Sequence, residues 1–245
     1  MKLKLISVML LTLPLLANAE ESKSAWQPNV QAIGNLKNLS DNTLNSKVSV
    51  KSLMTNTPLF GLGMQTGLDK EVLILDNQIY AGGFKNLSYS AAKQADIDVS
   101  FLVYAHINHW KTVNIPEIVK TFKELEAFIT KAALENGQGI NNPVPFQIEA
   151  EATTLKWFVV NGMGNLQPNP RDNFLNNRYL GGLDDAKIKG FGFYSNAHRG
   201  EWSNPVSSIH IHFLTNDVQG KSLFVGHLDD NVTFKAGGKL LLPLD

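Results

Sequence analysis

Ser208-Ile209-His210-Ile211-His212-Phe213-Leu214 is the stretch on which the reading of this chain turns. It alternates as a strand does, and strand side chains two apart project from the same face. His210 and His212 therefore stand side by side. Thr215 to Gly220 reads as a turn, and Ser222-Leu223-Phe224-Val225-Gly226-His227 as the returning strand. Antiparallel pairing then brings His227 beside the other two. Three neutral imidazoles on one face leave an open coordination position, the donor set of a catalytic zinc. Three histidines on a hydrated sheet face, hydrogen-bonded to their neighbours, are the alternative, and the stretch itself leaves both open.

Outward from this hairpin the chain is rich in strands. Leu59-Phe60-Gly61-Leu62-Gly63-Met64 reads as a strand whose glycines allow close backbone packing or a bend. Its two glycines do not make a phosphate loop, because neither a third glycine nor a helix follows. Glu71-Val72-Leu73-Ile74-Leu75 and Ile79-Tyr80 flank Asp76-Asn77-Gln78 as a hairpin, and Ser100 to His106 is a further strand. Residues 116–136 are the one strong helix. Pro116 suits its first turn, Gly137 its end, and Ile118, Val119, Phe122, Leu125, Phe128 and Ile129 recur at the spacing of one buried face. After a loop at 137–145 come strands over 146–152 and 155–160, and a long Asn/Gly/Pro-rich loop at 162–182. Strands over 188–194, 208–214, 222–227 and 232–234 complete the order, with Leu240 to Pro243 as one more. Strands with a single main helix place the chain in the α+β class. The expected division is an N-terminal β-rich lobe over 49–140 that includes the helix, and a C-terminal β-rich lobe over 141–245 that carries the histidines.

Composition narrows the chemistry. The chain has 245 residues, 43% hydrophobic and 18% charged, which is a globular composition. Lys+Arg and Asp+Glu are 22 each, without the basic surplus that nucleic-acid binding requires. Cysteine is absent, so thiolate metal sites and cysteine nucleophiles are excluded, and a transition metal must be held by His, Asp or Glu. Residues 1–19 read as a secretory signal: Lys2 and Lys4, an apolar run from Ile6 to Leu16, then Ala17-Asn18-Ala19 as a small-x-small cleavage site. That run is shorter than the roughly 20 residues a membrane span needs. Removing Lys2 and Lys4 leaves 20 basic against 22 acidic residues. The expected mature protein is exported, periplasmic or extracellular, with no membrane or nucleic-acid partner. Residues 20–48 are polar and read as a linker or peripheral segment.

Outside the hairpin, few residues are equipped for chemistry. Glu71 opens an apolar strand and is either a surface carboxylate or a metal partner or acid/base group with a raised pKa. His106 and His109 read as satisfied histidines at a strand end. Arg199 follows His198 in the polar loop 195–205, where an arginine either is solvated or clamps a carboxylate. No nucleophile elbow, P-loop, HExxH or dinucleotide fingerprint is present.

Two blocks of the sequence resemble the alpha-acetolactate decarboxylase family. The first is Phe60-Gly61-Leu62-Gly63 with Leu68-Asp69-Lys70-Glu71-Val72-Leu73-Ile74-Leu75-Asp76 and Ile79-Tyr80. The second is Ile209-His210-Ile211-His212-Phe213-Leu214-Thr215-Asn216-Asp217 with Gly226-His227-Leu228-Asp229. The resemblance spans roughly Leu53 to Pro243. It implies two β-rich lobes with a metal site in the cleft between them, and a zinc ion held by His210, His212 and His227. It also implies a functional glutamate at Glu71 and conversion of acetolactate to acetoin and carbon dioxide. The family's substrate-binding arginine aligns with Phe158 to Asn161, where this chain has none; Arg171 and Arg199 are the arginines that could serve instead. The family's second glutamate, beyond a final Leu-Pro, has no match after Leu242-Pro243. The partner implied is a small 2-hydroxy-3-keto acid. Two alternatives remain: a metabolite-binding protein of the same fold without turnover, with or without zinc, and a metal enzyme acting on another 2-hydroxy-3-keto compound. The oligomeric state is open, a homodimer included.

Overall fold

The structure, a computed structural model, describes residues 29–36, 48–85, 88–136, 142–160, 178–217 and 219–244. The signal sequence expected at 1–19 lies outside them, as do most of the segment expected as a linker and Arg171. Fourteen strands and one α-helix are built from the described residues. They form two seven-stranded sheets, and every strand pairing within them is antiparallel.

The first sheet runs in the order β1 (Gln31–Ile33), β7 (Asp98–His106), β3 (Leu59–Gln65), β4 (Lys70–Leu75), β5 (Gln78–Lys85), β6 (Ser88–Gln94), with β2 (Val48–Ser49) also on β7. Residues 29–36, expected to be peripheral, therefore add an edge strand to it. The β4–β5 turn is set by Asp76 and Asn77, both in the left-handed region at φ 50° and 61°. That is the geometry of a tight two-residue hairpin, which Asp and Asn tolerate. Gly63 of β3 has no room for a side chain: a Cβ there would lie 2.1 Å from the Phe101 carbonyl oxygen of β7. Of the close packing or bend expected of these glycines, close backbone packing is what Gly63 provides.

The second sheet contains β8 (Trp110–Asn114), β9 (Val144–Val160), β10 (Arg178–Tyr194), β11 (Ile209–Asn216), β12 (Leu223–Leu228), β13 (Thr233–Phe234) and β14 (Lys239–Pro243). Strands β9, β10, β11 and β12 each pair with the next, and β12 returns to β9, so the four close a circuit. The two strands expected over 146–152 and 155–160 are one continuous strand, held along its whole length by β10. The expected loop at 162–182 is shortened accordingly, because β10 already begins at Arg178.

The helix is α1 (Phe122–Glu135) and starts later than the sequence suggested. Pro116 to Lys120 form a turn instead, and Ile118, expected to be buried, is 79% exposed. The start is set by Thr121: its hydroxyl accepts the Glu124 N–H, and the Glu124 carboxylate accepts the Thr121 N–H in return. This reciprocal pair satisfies donors that a helix start otherwise leaves free.

The helix was expected in the first lobe. It packs instead on the second sheet, where Phe122, Leu125, Ile129, Ala132 and Ala133 share one core with Val144, Phe146, Ile148, Leu240 and Leu242. Strand β8 also belongs there, paired with β14. The sheets therefore part between His106 and Trp110, ahead of the helix, because partners at the far C-terminal end decide where this segment docks.

The opposite face of the second sheet meets the first. Phe191, Phe193, Val160 and Val225 pack with Phe60, Leu62, Leu73, Phe101 and Val103 in a common core. Tyr89 of β6 ties the two sheets by hydrogen bonds: its hydroxyl donates to the Val225 carbonyl and accepts the Val225 N–H, both at 2.7 Å. This contact requires Gly82 on the neighbouring strand, where a Cβ would stand 2.3 Å from the Tyr89 hydroxyl and 2.5 Å from the Val225 oxygen.

Candidate metal centre and active site

The alternation of β11 sorts its side chains between two environments. Ile209, Ile211 and Phe213 enter the core shared with the helix. His210 and His212, between them, are buried at 5% and 1% exposure. The register then builds a row across three neighbouring strands and one more: Phe191 lies opposite His212, His212 opposite His227, and His227 opposite Phe158. The expected hairpin thus delivers His227 to its predicted place. One ligand nitrogen from each of His210, His212 and His227 lies within 4.8 Å of the others.

Strand β4 of the first sheet carries the remaining group. Glu71 alternates with Val72 and Ile74, which face the other side of the first sheet. Its carboxyl is 2% exposed. One oxygen, Oε1, accepts the Val160 N–H at 2.9 Å, and Oε2 lies 3.3 Å from His212 Nε2. Glu71 is therefore not the surface carboxylate that its place at a strand start suggested.

Hydrogen bonds fix how the imidazoles are protonated. His210 Nδ1 is 2.5 Å from the Trp202 carbonyl and His212 Nδ1 is 2.8 Å from the Val72 carbonyl. A carbonyl only accepts, so both Nδ1 atoms carry the proton and both Nε2 atoms present lone pairs. Those two Nε2 atoms are 3.0 Å apart. Two acceptors at that distance repel unless a cation lies between them. Burial keeps all three rings neutral: it pushes His210 down to about 4 and holds His212 and His227 well below the ordinary histidine value. Neighbouring imidazoles lower the latter two further. Neutral imidazoles with the second nitrogen tied to a carbonyl are what metal ligation requires. The donor set therefore fits a metal ion, and a borderline-soft divalent ion such as zinc suits imidazole nitrogen.

Burial acts on Glu71 in the opposite sense, raising its pKa to about 8 against the opposing Val160 N–H bond. With no cation beside it, the carboxyl is protonated at neutral pH. Its contact with His212 is then between neutral partners rather than an ion pair.

The arginines are placed as follows. Arg199 donates through Nε and Nη2 to the Ser208 hydroxyl, from an exposed position on the loop before β11. Arg171 lies outside the described residues. Arg178, which the sequence reading passed over inside the expected loop, opens β10 opposite Val160. Its guanidinium sits 4.9 Å from the centre of the Phe158 ring, and that ring stacks on His227 at 4.2 Å. The positive charge of Arg178 is also felt at His227, whose proton affinity it lowers. Only a strand reading of Arg178 to Leu183, and its pairing with β9, would have found it. His106 Nε2 meets the Leu53 carbonyl at 2.9 Å, the satisfied strand-end histidine the sequence suggested.

Among curated protein sequences the chain has no match. Among solved structures it is similar to the alpha-acetolactate decarboxylase of Bacillus subtilis strain 168, with 16% identity, a TM-score of 0.64, and coverage of 87% of this chain and 84% of that one. It is also similar to a Staphylococcus aureus protein of unknown function described as similar to alpha-acetolactate decarboxylase, with 15% identity, a TM-score of 0.65 and the same coverages. A third likeness is to the acetolactate decarboxylase of Bacillus subtilis subspecies spizizenii, at 16% identity and a TM-score of 0.63, covering 87% of this chain and 85% of that one. At such identities these likenesses establish the two-sheet fold. The family model for alpha-acetolactate decarboxylase matches residues 31–237. That match takes in Glu71 and all three histidines, and by it the chain belongs to the alpha-acetolactate decarboxylase family.

Proposed function

We propose that the protein is a zinc-dependent lyase that decarboxylates 2-acetolactate to acetoin. The observation that carries this reading is the set of three neutral imidazoles, His210 and His212 with their tautomers fixed, facing a buried carboxyl. His210, His212 and His227 would hold the ion, and Glu71 lies beside that set. When bound, the ion supplies Lewis-acid stabilisation of negative charge on the substrate's oxygens as carbon dioxide departs.

This chain's own residues account for the rest. Loss of carbon dioxide breaks the bond to the carboxyl carbon and leaves its electron pair on the substrate. A proton must then be added to carbon. Glu71, held by Val160 on one oxygen and beside His212 on the other, is the carboxyl placed to deliver that proton and to regain one from solvent. Arg178 offers the cation that orients the substrate carboxylate, standing over Phe158 and next to the imidazole set. Export to the periplasm or beyond is part of the proposal and rests on the sequence of residues 1–19.

Acetoin release from racemic acetolactate, measured with bound metal on the same sample and with a chelator added, tests the reading. Chelator-sensitive acetoin formation is expected. Bound zinc without acetoin would overturn the assignment in favour of a changed substrate or ligand binding without turnover.

A further inference from the structure

The two carbonyls that hold the imidazole protons come from very different places. His212 takes its acceptor from Val72, in the middle of the first sheet. His210 takes its acceptor from Trp202, in the loop between β10 and β11. A histidine ligand is only as well aimed as the group that holds its second nitrogen. What fixes Trp202 therefore fixes His210.

Trp202 is fixed by its neighbours within a few residues. The His198 and Trp202 rings stack face to face at 3.8 Å and 5°. The Trp202 N–H donates to the His198 carbonyl at 2.9 Å, closing the turn that brings the rings together. His198 is held in turn by Ser195, whose hydroxyl lies 2.7 Å from His198 Nδ1. The Ser195 N–H donates to the Ser208 carbonyl, two residues before His210. On its other side Trp202 packs with the core between the sheets. The Leu36 N–H reaches the Glu201 carbonyl, pinning the turn to the N-terminal edge of the first sheet.

We infer that Trp202, with His198 stacked on it, is a positioning residue for the metal ligand His210. The stack holds the Trp202 carbonyl at His210 Nδ1, and so keeps the Nε2 lone pair aimed at His212 and His227. The inference rests on the metal reading of the three histidines, but it also makes a claim about the metal-free protein. There, His210 is the Nδ1–H tautomer because Trp202 makes it so.

The test uses the full chain, its His198→Ala and Trp202→Ala variants, and the conservative Trp202→Phe. Two readouts are taken: the His210 tautomer in the metal-free protein, from imidazole nitrogen NMR, and zinc affinity by chelator competition. Loss of the stack is expected to abolish the single Nδ1–H signature and to weaken zinc binding by about 10–100-fold. Trp202→Phe, which keeps an aromatic face for His198, is expected to restore both toward the parent. Should Trp202→Ala not fold, His198→Ala removes the same stack from its half-buried side. A folded His198→Ala protein with an unchanged tautomer and unchanged zinc affinity would overturn the inference. A parent chain that binds no zinc would instead defeat the metal reading, and the tautomer measurement would still decide whether Trp202 positions His210.

Discussion

Glu71 shows how one side chain acquires a role from its surroundings. In water a glutamate is ionised at neutral pH; here burial between two sheets raises its pKa to about 8. Glu71→Gln keeps the shape and an oxygen for the Val160 N–H but has no proton to give. That variant is expected to bind zinc as the parent does and to lose about 10²–10⁴-fold in acetoin formation, read by turnover and metal content together. Retained turnover would remove Glu71 from the proton transfer. Arg178 is tested at the same scale. Loss of a charge-assisted contact to a carboxylate costs about 1.5–3 kcal/mol, so Arg178→Ala is expected to raise KM for acetolactate roughly tenfold or more, while zinc content stays unchanged.

At the scale of elements, the helix and the strand β11 are both decided by a few local contacts. The capping box at Thr121 starts α1, and Thr121→Ala is expected to destabilise the protein by about 1 kcal/mol in thermal or denaturant unfolding. The Lys120 and Thr121 N–H groups donate to Glu124 and hold its carboxyl below its ordinary value of 4.5. A carboxyl so lowered contributes stability above its unfolded-state pKa, and that contribution is lost as the pH falls through the folded-state value. Melting curves between neutral pH and pH 3 should therefore show a smaller acid loss for Glu124→Gln than for the parent. An equal loss would exclude the carboxylate from the cap. Strand β11 needs no such device, because its alternation already directs apolar residues to one core and histidines to the other face.

The whole molecule holds together across the faces of its two sheets, and the site depends on that union: Glu71 comes from one sheet, the three histidines from the other. Tyr89 is a polar clamp between them, alongside the Val160–Glu71 and His212–Val72 bonds. Tyr89→Phe leaves the Val225 N–H and carbonyl without their partner and is expected to cost about 1–3 kcal/mol. Gly82→Ala drives a Cβ into both members of that clamp and should be the more damaging of the two in denaturant unfolding. Metal binding, as proposed, would add a further link. Zinc at about 1,000 times its dissociation constant stabilises a folded protein by roughly 4 kcal/mol. Adding a chelator should lower Tm in the parent and leave His212→Ala unaffected. Equal shifts in both would place the metal elsewhere.

Read alone, the sequence determined whatever depends on neighbours close along the chain. Alternation put His210 and His212 on one face. A single turn length returned His227 to them, and Asp76-Asn77 marked a hairpin, because strand period and turn chemistry act over a few residues. The tertiary structure decided what depends on distant partners. Whether Glu71 is a surface carboxylate or a buried acid turns on Val160 and His212, respectively 89 and 141 positions away along the chain. Arg178 became a neighbour of the site only through the long pairing of β9 with β10. The helix joined the second sheet because its apolar face matches strands at both ends of that sheet's sequence. Periodicity specifies which face of an element is apolar, but burial and proton affinity are properties of what that face meets.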